Sequence, residues 1–331
     1  MKWTMVAAAA LTIWTTGATG LDKIRFATNW LAEAEHGGFY QALADGTYAA
    51  AGLDVAILPG GPLTANRLLL AAGRVEFSMG ANMLSAFDAA GVGAPSIVVA
   101  SVFQKDPIVL IAHPGVGLDR FEDLPKASAA FIGKDTFVSV WRWLKNVYGF
   151  SDAIVKPYTF NAAPFLADRT SIQQGYVTSE PFAIAREGRF QPNVFLLADH
   201  GYASYSTTIE ARADLVRSKP DLVQRFVDAS MAGWCAYLYG DNRAANALIR
   251  RDNPDMTDAQ IRYSVEKMKT YGIVDSGDAL TLGLGAMTDE RMAAFFAAMA
   301  RAGVVATSFD YKKAYTLQFV NKGRACAGRS Q

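Results

Sequence analysis

Residues 28–55, TNWLAEAEHGGFYQALADGTYAAAGLDV, decide how the chain is read. Just before them, Ile24 to Ala27 is a short apolar run of strand character. Asn29 and Trp30 follow at its C-terminal end. Gly37 and Gly38 open a helix carrying Phe39, Leu43 and Tyr48, and Gly46 and Gly52 mark the turns before a second strand from Leu53 to Ile57. Strand, helix and strand in this order form the unit of an open α/β sheet, whose ligand crevice lies beyond the carboxyl ends of the strands. Asn29, Trp30, His36 and Tyr40 are therefore expected beside a small-molecule site.

The alternation continues outward from this stretch. Strands are expected at Asp54–Leu58, Val75–Met79, Ser96–Phe103 and Pro107–Ala112, with helices at Ala65–Ala72 and Met83–Ala90 between them. Such spacing predicts a parallel sheet with crossover helices. A second block follows, with strands at Ala129–Ile132, Val155–Phe160, Gly175–Val177 and Val194–Ala198, and helices around Val138–Val147 and from Ala163. Near Asp199 to Ser206 the chain is expected to cross back, so that Thr207–Ala211 rejoins the first sheet. The remainder is helical, with starts at Pro220, at the capping box Thr257-Asp258-Ala259-Gln260 and at Thr288. The expectation is an α/β protein of two lobes: residues 21–111 with 204–331, and residues 112–203. Two crossing strands join them, and a ligand binds between lobes that close by hinge motion.

Composition narrows the function. Residues 1–20 have the form of a signal peptide, with Lys2, an apolar run from Val6 to Ile13 and small residues at Ala18-Thr19-Gly20. The run is too short to span a bilayer, and no cysteine stands near the cleavage point, so a free periplasmic protein is expected. The formal net charge of the 331 residues is +1, with no basic patch, which argues against nucleic acid and anionic membranes. Cys235 and Cys326 have no metal spacing, and sequence alone leaves open whether they pair. Three scattered histidines make no metal centre. No nucleophile elbow, phosphate loop or paired acid and base is present, so no catalytic residue is assigned.

Candidate ligand contacts come from strand ends and helix starts. Trp30 offers a flat ring for stacking, and Asn29 beside it can donate and accept at a ring edge; filling the core between lobes is the alternative. His36 and Gly37 stand at a helix start, where free N–H groups favour an acceptor. Asn82 and Gln104 follow two further strands. Lys134, Asp135 and Thr136 occupy a strand-to-helix turn of the second lobe, with an ordinary helix cap as the alternative. Tyr176 and Glu180 lie in GYVTSEP, where Pro181 suits a first helical turn and holds Glu180 at a strand end. Glu180 suits an amino-substituted heterocycle or, alternatively, complements its own helix dipole. Tyr205, near the second crossing, can add a ring or hydroxyl.

The leader, Asn29-Trp30 with His36-Gly37-Gly38-Phe39-Tyr40, the Gly52-Leu53-Asp54-Val55 strand and the Tyr176 to Pro181 turn together resemble the periplasmic substrate-binding proteins of ABC importers. The likeness is to the group that shares its fold with the yeast thiamin pyrimidine synthase, and it covers roughly Leu21 to Lys322. It implies a type II periplasmic-binding fold, a monomer without cofactor, and delivery of ligand to a membrane permease and its ATPase. It also implies a thiamin pyrimidine precursor as ligand, stacked on Trp30 and Tyr40 and read by Glu180, Asn29 and His36. Members of the group that bind nitrate, alkanesulfonates, taurine or riboflavin-type molecules keep other ligands open. The synthase's cysteine-rich iron motif is missing here, which argues against that enzyme activity.

Overall fold

The computed structural model describes residues 20–62, 64–323 and 326. The leader reading falls on residues outside this range, except for Gly20. Among the described residues ten strands build two sheets: β1 Asp22–Ala27, β2 Leu53–Leu58, β3 Phe77–Asn82, β4 Ser96–Phe103, β5 Ile108–Ala112, β6 Ala130–Ile132, β7 Val155–Pro157, β8 Ile172–Tyr176, β9 Asn193–Leu196 and β10 Ser206–Arg212. The first sheet has the order β2-β1-β3-β10-β4 and the second β7-β6-β8-β5-β9. Helices flank both sheets, giving two α/β lobes.

Neither sheet is wholly parallel. β10 runs antiparallel to β3 and β4, and β5 runs antiparallel to β8 and β9. These are the two strands by which the chain comes into a lobe from the other one. Each arrives at the end of the sheet that faces the partner lobe, so it must run away from that end while its neighbours run toward it. The alternating pattern could not register this, because direction is set by the crossing and not by strand composition. β5 also corrects the expected boundary at residue 111. It pairs only in the second sheet, so the chain has already crossed at Gln104 to Pro107.

The same topology aligns the functional ends. Ser206 at the start of β10 lies opposite both Asn82 and Phe103, the last residues of β3 and β4. In the second lobe Ile108 at the start of β5 lies opposite Tyr176, the last residue of β8. The strand ends that carry Asn29, Asn82, Gln104 and Tyr176 thus face the gap between the lobes.

The first lobe's core explains the double glycine of the opening stretch. The helix Gly37–Ala44 lies against the helix Pro220–Tyr239. A Cβ on Gly37 would stand 2.0 Å from the Tyr237 ring, and one on Gly38 would stand 2.1 Å from the Trp234 ring. On the other helix a Cβ at Gly233 would stand 2.3 Å from the Gly38 carbonyl oxygen. The glycines are there for helix contact. Cys235 in the long helix is joined to Cys326, with 5.2 Å between their Cα atoms, which ties the C-terminal segment to this core.

The predicted caps are present. Thr257 Oγ1 accepts from the Gln260 N–H at 3.2 Å and Thr288 Oγ1 from the Arg291 N–H at 3.2 Å. The single helix expected around Val138–Val147 is two, Lys134–Val138 and Val140–Tyr148, broken at Ser139, whose hydroxyl donates to the Asp135 carbonyl at 2.6 Å. The strand expected to reach Phe160 stops at Pro157.

Several contacts join the lobes. Trp30 meets Phe160, with ring centroids 4.3 Å apart. The helix Asp258–Thr270 donates from Gln260 and Ser264 to the Thr178 carbonyl at 3.2 and 2.7 Å. Arg142 of the second lobe reaches Asp88 of the first at 3.3 Å, while Asn146 donates to the Ala302 carbonyl at 2.7 Å.

Candidate functional site

Between the facing strand ends lies a desolvated, acidic interior. Glu33 and Glu35 come from the loop after β1 and the short 3₁₀ turn Ala34–His36. Ala32 and Ala34 are fully buried on either side of Glu33, so this segment threads into the protein and takes its carboxyls along. Glu35 is 2% exposed and its Oε1 has no hydrogen-bond partner. Burial pushes it up to about 7, opposed by the Thr178 side chain and reinforced by the charge of Glu180. Glu33 is held well above the carboxylate range by burial and by Glu35 and Glu180.

His36 sits inside this group, 0% exposed, with neither ring nitrogen hydrogen-bonded. Its Nε2 is 3.6 Å from Glu33 Oε1. Burial lowers the imidazole to about 3, so at neutral pH His36 is uncharged and the contact is not an ion pair. A neutral histidine can donate from one nitrogen and accept at the other.

The second lobe contributes the turn after β8. Glu180 Oε2 accepts from the Tyr176 N–H at 2.7 Å, and Oε1 accepts from the Tyr158 hydroxyl at 3.3 Å. Gly175 makes this possible, since a Cβ there would stand 2.7 Å from the Glu180 Cβ. Burial raises Glu180, and these two donors limit the rise. The Tyr176 hydroxyl is raised far above its usual range by burial and by Asp106, Glu33, Glu180 and Glu35. It is therefore surrounded by carboxyls from three segments of chain. Asp106 lies in the first crossing and is pushed up to about 7 by burial, against the Ile108 N–H and the Asn82 and Ser206 side chains. Burial, neighbouring carboxyls and neutral donors set all these shifts. Among the described residues no lysine or arginine is one of the causes.

The sequence-derived candidates divide. His36, Tyr176 and Glu180 come together here; Trp30 is linked to them through Phe160 and Tyr158, and Asn29 stands beside Trp30 with its Oδ1 buried without a partner among the described residues. Tyr40 does not belong with them: it is fully buried in the first lobe and its hydroxyl donates to Asp252 at 3.0 Å. Gly37 is a helix-contact residue, as described above. Asn82 caps the helix Met83–Gly91, its Oδ1 accepting from the Ser85 N–H at 3.1 Å. Gln104 donates to the Ala286 carbonyl at 2.9 Å. The Tyr205 hydroxyl donates to Asp278 and accepts from the Thr288 N–H at 3.0 Å, with Arg291 over its ring. Lys134 and Asp135 are exposed and Thr136 is half-buried, on a short helix with no buried residue.

Glu33, Glu35, Asp106, Tyr158 and Phe160 were missed. The first two had a signal in AEAEH, two acids alternating with alanines that alternate into a core. Phe160 had none, because only tertiary structure brings it to Trp30. A cavity of about 400 Å³ between Val227–Gly240 and Phe319–Lys322 has no second-lobe residue in its wall and is separate from this site.

The model of the NMT1/THI5-like family matches residues 33–244, which take in both sides of the site. The chain belongs to that family. The NMT1/THI5-like chain is also 24% identical over 314 residues to the riboflavin-binding protein RibY of Chloroflexus aurantiacus, covering 92% of this chain and 87% of that one. Its structure is similar to the periplasmic aliphatic sulphonate binding protein SsuA of Escherichia coli, with TM-score 0.63, 11% identity and coverage of 94% and 95%. It is similar as well to the desulfurization enzyme DSZB, with TM-score 0.54, 12% identity and coverage of 90% and 97%. The fold is thus that of periplasmic binding proteins, and it also carries an enzyme.

Proposed function

We propose that this NMT1/THI5-like protein is the solute-binding component of an ABC importer, working in the periplasm without catalysis of its own. It captures a planar nitrogen heterocycle by closure of the lobes and presents it to a membrane permease. The observation that carries the ligand class is the interior of four carboxyl groups on which, among the described residues, no lysine or arginine acts. A sulfonate or nitrate placed there finds no lysine or arginine acting on the site among the described residues and disfavours ionisation of the surrounding carboxyls, which costs binding energy in a low-dielectric site. A heterocycle bearing amino groups offers N–H donors to Glu180, Glu35 and Glu33, while Trp30 stacks on its ring. The Cys235–Cys326 bridge supports an oxidising compartment such as the periplasm.

A thiamin pyrimidine precursor satisfies this pattern best, having an aminopyrimidine ring and no negative charge before phosphorylation. Riboflavin is the second reading, favoured by the similarity to RibY along most of the chain. Its ring imide and ribityl hydroxyls also donate. Thermal unfolding of the chain from Leu21 onward, with 4-amino-5-hydroxymethyl-2-methylpyrimidine, riboflavin, an alkanesulfonate or nitrate, tests the reading. Ligand bound only to the folded state raises the unfolding temperature. The expected result is a rise with one of the two heterocycles that disappears in Trp30→Ala and Glu35→Ala. A rise with sulfonate or nitrate alone overturns the ligand class.

A further inference from the structure

One side chain of the second lobe reaches across the mouth of the cleft. After β7 the chain runs through Tyr158 and Thr159 to Phe160, which has φ of 60°. This is the left-handed region, rare for a bulky residue and a source of strain. The Phe160 backbone makes no hydrogen bond among the described residues. Phe160 remains 48% exposed, so core burial does not hold it either. What it does contact is aromatic: the Trp30 ring at 4.3 Å and 51°, and the Tyr158 ring at 5.0 Å. Tyr158 in turn donates to Glu180. Trp30, Phe160, Tyr158 and Glu180 thus form a continuous line from the rim of the first lobe to the acidic interior of the second.

We propose that Phe160 is a latch residue. Its ring docks on Trp30 when the lobes come together, covers one face of the indole, and leaves the opposite face for a planar ligand. The strained backbone is what projects the ring out of the second lobe far enough to meet its partner. Phe160 so governs how firmly the lobes hold together and how long a ligand stays. This extends the binding reading, but it rests on the two-lobed fold and the Trp30–Phe160 contact, and its first test uses no ligand.

Small-angle X-ray scattering of the ligand-free chain from Leu21 onward is compared for wild type, Phe160→Ala, Phe160→Gly and Phe160→Tyr. Loss of the ring is expected to increase the radius of gyration in the Ala and Gly variants, while Tyr keeps the wild-type value. Thermal unfolding checks that the variants fold; Gly removes the backbone strain and is expected to unfold no earlier than wild type. In a second arm, dissociation of 4-amino-5-hydroxymethyl-2-methylpyrimidine or riboflavin is expected to be about three- to tenfold faster in Phe160→Ala, the range of one aromatic pair. Identical scattering for wild type, Ala and Gly, including a wild type as open as the variants, overturns the latch. If neither compound binds wild type, the ligand reading fails and the scattering result still decides the latch.

Discussion

The interior of the cleft and its hinge end are both lined by polar side chains, and they differ in how those side chains are satisfied. At the hinge, Arg291, Gln104 and Tyr205 each have partners. Arg291 donates to the Gln104 and Ala203 carbonyls, lies 3.4 Å from Asp278 and covers the Tyr205 ring. Gln104 and Tyr205 are each bonded on to the segment that leads into the helix Asp289–Arg301. In the interior, the His36 ring nitrogens, Glu35 Oε1 and Asn29 Oδ1 are buried without a hydrogen bond among the described residues. A satisfied network rigidifies a fold, whereas buried polar atoms lacking partners cost stability. The hinge end has the pattern of a scaffold, and the interior has the pattern of a surface prepared for something else. Both sit at strand ends, so position alone does not distinguish them; partner saturation does.

Substitutions should therefore act in opposite directions in the two regions. The largest effect is expected from Arg291→Ala, which strips several charge-assisted bonds at once and should lower unfolding free energy by about 3 kcal/mol in urea titration. Loss of less than about 1 kcal/mol would show that the hinge network is dispensable.

The interior has a pH signature. Glu35 and Asp106, raised to about 7, favour the folded state when protonated, so their contribution is lost as pH rises through about 7. His36, lowered to about 3, contributes in the other direction, and its share is lost as pH falls from its ordinary value of 6.5. Two raised acids outweigh one lowered base between these limits. The unfolding temperature should rise on going from pH 7.5 to about 5, then fall below about 4, where the unfolded chain's carboxyls also protonate and the histidine term remains. A monotonic decline from pH 7.5 to 4 would contradict the buried-acid interior.

Glu35→Gln sharpens the contrast further. Removing a buried ionisable group should leave stability at pH 7.5 unchanged or raise it by about 1 kcal/mol, and should flatten the acid-side rise. The smallest effect is expected at Lys134→Ala, on the exposed turn, with stability within about 0.5 kcal/mol and heterocycle binding unaltered. A loss of binding there, seen by calorimetry, would return that turn to the site.

Sequence periodicity was enough for the two blocks, the return near Ser206, the helix caps and the strand-end location of Asn29, Trp30, Tyr176 and Glu180. These features depend on local pattern and on the general rule for open sheets. Three things lay beyond it. Strand direction in β5 and β10 follows from the path between lobes. Tyr40, Gln104 and Tyr205 look like binding residues until their partners Asp252, Ala286 and Asp278, all distant in the chain, are known. Gly37 and Gly38 suit an anion-binding helix start equally well until Tyr237 and Trp234 are placed against them. Polar residues declare their chemistry in a sequence, but whether that chemistry is already spent is decided by residues far away.

The position of β10 also orders the birth of the molecule. The second lobe's strands, Ile108 to Leu196, form one continuous stretch and can assemble as soon as they are made. The first lobe cannot: β4 has no partner in its sheet until β10 slots between it and β3. Until then two apolar strand edges wait unpaired, which is slow for folding and hazardous for aggregation. The lobe whose sequence comes first is the lobe that must finish last, and a chain held unfolded until all of it has emerged suits that requirement.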